Sequence, residues 1–104
     1  MGKKVCVVRN EEVKEVIIGI PLGNEHLRVV IRLEGRDLIF HEALIAGILR
    51  AFVTIKTHPQ KRAIELKTVK LLQRKDGYAG HQLIETERTP EEVEATLKDL
   101  LEHQ

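Results

Sequence analysis

Histidine, cysteine and paired carboxylates are the residue types from which a small chain builds proton relays, nucleophiles and metal cages. This chain carries five histidines, one cysteine and sixteen acids in 104 residues. The histidines, His26, His41, His58, His81 and His103, are scattered over turns and element ends. None has a second ligand at helical or turn spacing, and a zinc site needs three or four converging ligands. His41 and Glu42 open like the helical zinc-protease motif, but position 45 is isoleucine, so the second imidazole one turn later is missing. There is no serine, which removes a serine nucleophile, and Cys6 has no recognisable base partner. Cys6 lies in the run VCVV and reads as a buried, inert thiol. As a lone cysteine it also excludes an intrachain disulfide. The stretch KDGYAGH (75–81) could offer backbone N–H groups to a phosphate. It lacks the strand before and helix after that a phosphate loop requires, so a hairpin loop is the simpler reading. These residues imply no metal and no cofactor, and they lean away from catalysis. An enzyme or metal site assembled at long range from the loop histidines is the third functional reading.

Charge is more informative. Residues 50–75 hold eight basic side chains against one acid, Glu65, whereas 85–104 hold seven acids against two bases. The net charge of +1 hides this polarity. Lys56, Lys61, Arg62, Lys67, Lys70, Arg74 and Lys75 are therefore candidate phosphate contacts for RNA or DNA. Against that stands the scarcity of rings for base stacking: Phe40, Phe52 and Tyr78 are the only aromatic residues besides histidine. The competing reading is a basic hairpin that faces the acidic helix of its own or a neighbouring chain.

The elements that position these groups follow from periodicity. With 42% apolar and 32% charged residues the chain reads as one globular domain, 1–104, with a core of Val, Ile, Leu and Ala. No run approaches the roughly 20 apolar residues of a membrane span, and the apolar run at the N-terminus is too short for a signal segment. A cytoplasmic location is expected. Abundant Glu and Lys with few Asn, Cys and Met hints at a thermophilic source. VCVV suggests a short buried strand. In 15–22, Val16, Ile18, Ile20 and Leu22 share one face, and Pro21 ends the strand or marks an edge. LRVVIRLE places Leu27, Val29, Ile31 and Leu33 inward and pairs with the preceding run as a hairpin. EGRD (34–37) is a turn, after which LIF continues briefly as strand or Asp37 caps a helix over 41–52. VTIKT reads as strand, HPQK as a turn around Pro59, and RAIELK as the returning strand, with a bulge or strand end at Lys67 and Thr68 where the apolar alternation slips. HQLIETE is a possible last strand. The C-terminal helix is signalled most strongly: Thr89 as N-cap, Pro90 in the first position, Glu92 closing a capping box, and Val93, Leu97, Leu100 and Leu101 as its apolar stripe, with Glu94 and Lys98 one turn apart on the wet side. The fold class is thus α+β, a largely antiparallel sheet of five to six strands with two helices in the order β-β-β-α-β-β-(β)-α.

The segment HEALIAGILRAF (41–52) is two-faced on a helical wheel. Leu44, Ile45, Ile48, Leu49 and Phe52 form a bulky arc that belongs on the sheet. Ala43, Ala46, Gly47 and Arg50 form a small one, where the second helix of the same chain or another subunit could approach closely. Gly47 in mid-helix costs about 1 kcal/mol relative to alanine, which a close neighbour would offset. The sequence therefore points to a self-associating binding domain, with a nucleic-acid-binding module as the second reading.

Overall fold

The β-branched runs Val16–Ile18 and Val29–Ile31 favour strands, and residues 15–41 form a three-stranded antiparallel meander: β1 (Glu15–Gly19), β2 (Arg28–Leu33) and β3 (Arg36–His41). The computed structural model describes residues 4–71 and 80–102. The first connection turns where the Asn24 N–H donates to the Pro21 carbonyl at 2.9 Å and Gly23 takes φ +86°. The second is a two-residue turn of Glu34 and Gly35, with Gly35 at φ +79°, a conformation that costs glycine little. Register sets the faces. Ile18, Val29 and Phe40 stand in one row and Val16, Ile31 and Leu38 in the next. The opposite face carries Ile17, Val30 and Ile39 beside Glu15, Arg32 and Asp37, where Arg32 lies 3.3 Å from Glu15 and 3.7 Å from Asp37. The hairpin and the inward set of LRVVIRLE are as the alternation implies, and Val29 is buried.

β3 runs straight into α1 (Glu42–Thr57). His41 is the N-cap residue without a side-chain cap bond. Instead the Leu27 N–H donates to the Glu42 carboxylate at 3.0 Å, tying the helix start to the start of β2. VTIKT is the last part of α1, not a strand. Its β-branched residues favour strands, but extending an existing helix costs little beside nucleating one. Thr54 and Thr57 also turn their hydroxyls back onto the Arg50 and Val53 carbonyls at 2.9 and 2.8 Å. The helix stops before Pro59, and the Lys61 N–H closes the turn on His58 O at 3.2 Å.

β4 (Leu66–Lys70) and β5 (His81–Glu85) make a separate two-stranded antiparallel ribbon, and α2 (Pro90–Glu102) ends the described chain. The α+β class with two helices holds, but the five strands divide into sheets of three and two rather than one sheet of five to six. The slip near Lys67 and Thr68 produces no bulge. Register is unbroken from Leu66 opposite Glu85 to Lys70 opposite His81. Val69 is simply exposed, since α1 packs on the other face of the ribbon, where Leu66 and Leu83 lie. VCVV joins neither ladder; Val7, Val8 and Cys6 are exposed ahead of a short 3-10 turn at Asn10–Glu12, so Cys6 is not the buried thiol expected.

Candidate interaction surfaces

Gly47 is the one buried residue of α1. A Cβ built on it would lie 3.3 Å from Leu83 Cβ and Cδ1 and 3.7 Å from Leu66 Cδ1. The close neighbour that its small size admits is therefore the β4–β5 ribbon of the same chain, not α2 and not another helix. Ala43 and Ala46 are half-buried beside it, and Arg50 is exposed. Arg50 lines a shallow cleft of about 210 Å³ with Gly47, Thr54, Ile64, Leu83 and Glu85.

With Gly47 used internally, the bulky arc is divided: Leu44 and Ile45 are half-buried, whereas Ile48, Leu49 and Phe52 are exposed, Phe52 to 58%, as is Val53 beside them. For Ile48, Leu49 and Phe52 this departs from the expectation that the bulky arc packs on the sheet. The row on the helix-facing side of the meander runs from exposed Ile18 on β1 to buried Val29 on β2 and half-buried Phe40 on β3. α1 packs chiefly against β2 and β3, and Ile18 on β1 is left 63% exposed. On α2 the stripe is likewise split: Val93 is buried, whereas Leu97, Leu100 and Leu101 are exposed.

The consequence is visible in the whole chain. Val29, Ala63 and Val93 are the buried hydrophobic residues among those described. Seventeen large apolar residues, from Val7 to Leu101, are exposed among the described residues. Apolar groups that a self-sufficient domain would bury are left in water.

The charged residues settle into local pairs. Lys61 donates to Glu85 at 2.8 Å, and Arg62 lies 3.7 Å from Glu94 on α2. These are contacts between the basic segment and the acidic part of the same chain. Arg88 is the knot that sequence reasoning missed. Its guanidinium donates to Glu65 at 2.8 Å, to the Glu92 carbonyl at 3.1 Å and to Thr96 Oγ1 at 2.7 Å. Thr86 Oγ1 donates to the same Glu65 carboxylate at 3.0 Å. The Thr86 hydroxyl first, then Arg88, holds the Glu65 carboxyl below its ordinary range. The Leu27 N–H, with His26 beside it, does the same for Glu42. Lys56 is exposed in the last turn of α1. Lys67 and Lys70, three residues apart on β4, stand on opposite faces. Arg74, and residues 75–79 of the KDGYAGH stretch, Lys75 included, lie outside the described residues. His26 Nδ1 lies 3.4 Å from Glu42, and among the described residues no three His, Cys, Asp or Glu side chains come together as a metal site would require. No helix among them is long and apolar enough to cross a membrane.

No known protein family, no curated protein and no solved structure matches this chain.

Proposed function

We propose that the chain is a binding domain that acts as a homo-oligomer and has no catalysis of its own. The observation that carries this reading is the exposed apolar surface of β1, α1 and α2, from Ile17 and Ile18 through Leu49 and Phe52 to Leu97 and Leu101. Such a surface is covered in water by something. A second copy is the default occupant, because most soluble oligomers are symmetric assemblies of one chain. The charge distribution supports the same reading. Lys61 and Arg62 of the basic segment pair with Glu85 and Glu94 of the same chain.

Sedimentation velocity over a dilution series tests this. The expected result is a particle at an integral multiple of 11.9 kDa that persists into the low micromolar range. A monomer at every concentration would remove the reading, and would leave the exposed surface to an unlike partner.

A further inference from the structure

We infer that β1 is the two-fold contact between copies: it pairs antiparallel with β1 of a second copy about Ile17, joining two three-stranded sheets into one of six strands. This rests on the homo-oligomer reading and adds its geometry. The first support is that β1 is exposed on both faces. Val16 and Ile18 point to one side and Ile17 to the other, and Ile18 is 63% exposed. A docked helix would cover one face only. A strand added in the plane of the sheet flanks the side chains on both.

The second support is that β1 is the less guarded edge of the meander. Natural edges are blunted by charge, lysine or proline. β3, the other edge of the meander, carries Arg36, Asp37 and His41, and β4 carries Lys67 and Lys70. β1 is EVIIG, and its pairing among the described residues is with β2 alone. The charges at its start are drawn back onto its own sheet, Lys14 to Glu34 at 3.4 Å and Glu15 to Arg32 at 3.3 Å.

The third support is self-complementarity. A two-fold at Ile17 sets Ile17 against its own copy, Val16 against Ile18, and Glu15 against Gly19. No like charges meet in that register. Gly19 has nothing within 4 Å of where a Cβ would stand, so Glu15 finds room opposite it. The helix-facing apolar rows of the two sheets become continuous, and Val16 and Ile18 pass from rim to centre.

The register gives a specific test. Ile17→Lys places two ammonium groups opposite each other and Ile17→Glu two carboxylates. Each variant alone should sediment at half the mass of the assembly that β1 closes, while an equimolar mixture of the two should regain the full mass. In a Cys6→Ala background, Ile17→Cys should oxidise to a covalent dimer, since directly opposed antiparallel residues have Cα atoms about 4.5–5.5 Å apart, within disulfide reach. Val16→Cys should not, because its counterpart lies diagonally beyond that reach. Should the charged variants fail to fold, the cysteine pair still decides. An assembled wild type with no covalent dimer from Ile17→Cys, or with equal yields from both cysteine variants, overturns the β1 contact and leaves self-association standing. A monomeric wild type removes both.

Discussion

At the scale of single residues the tightest statement concerns Gly47. Its missing Cβ is what lets α1 sit on Leu83 and Leu66. Gly47→Leu should destabilise the fold by about 1–3 kcal/mol through overpacking, read as a lower melting temperature. A Gly47→Leu protein that melts like the wild type would mean that the ribbon does not rest on α1. Two carboxylates make a second prediction. Glu42 and Glu65 are held below their ordinary pKa by donors that exist only in the folded state. The folded chain therefore prefers them charged. The stability they contribute is complete above the unfolded value of about 4.3 and is lost as pH falls through the lowered folded values. Glu65→Gln should flatten the acid limb of the melting-temperature curve below about pH 4.5. An acid limb that keeps the wild-type slope would mean that the Thr86 and Arg88 contacts do not hold in solution.

At the scale of elements, α2 shows what a local signal can deliver. The Glu92 N–H donates to Thr89 Oγ1 at 3.2 Å and the Thr89 N–H reaches the Glu92 carboxylate at 3.5 Å, the reciprocal box that the residue spacing implies. Thr89→Ala should cost about 1 kcal/mol; chemical denaturation with no change in midpoint would show that the cap is dispensable. β2 and its turns were equally legible, because alternation and a positive-φ glycine act within a few residues. The remainder depended on partners distant in sequence. VTIKT has strand propensity, yet it continues a helix already begun at Glu42. The wheel of α1 separated large from small residues correctly, but it cannot say which arc the fold covers; Leu66 and Leu83 decide that from another sheet. The sheet division was hidden for the same reason. One signal was readable and not used: Val16, Ile17 and Ile18 are three apolar residues in succession, and a strand with one wet face has no place for the middle one. The basic segment belongs here too. Lys61 and Arg62 face acids of their own chain, and Lys67 and Lys70 face apart. The account expects no more than weak retention on RNA or DNA at low salt. Affinity that falls steeply between low and moderate salt would instead favour phosphate contacts.

At the scale of the whole molecule, the central claim is that folding and association are one process. Among the described residues the buried core is Val29, Ala63 and Val93 with half-buried neighbours, which is small. On the proposed reading, a second copy covers the exposed apolar groups of β1, α1 and α2. In a chain of this kind the folded state is favoured by concentration, because association removes folded monomer by mass action. The direct measurement is calorimetric melting over a hundredfold range of protein concentration. The account predicts a melting temperature that rises steadily with concentration, with a single transition in which the assembly dissociates and unfolds together. A melting temperature that stays constant across that range would contradict it, and would mean that the chain completes its fold alone.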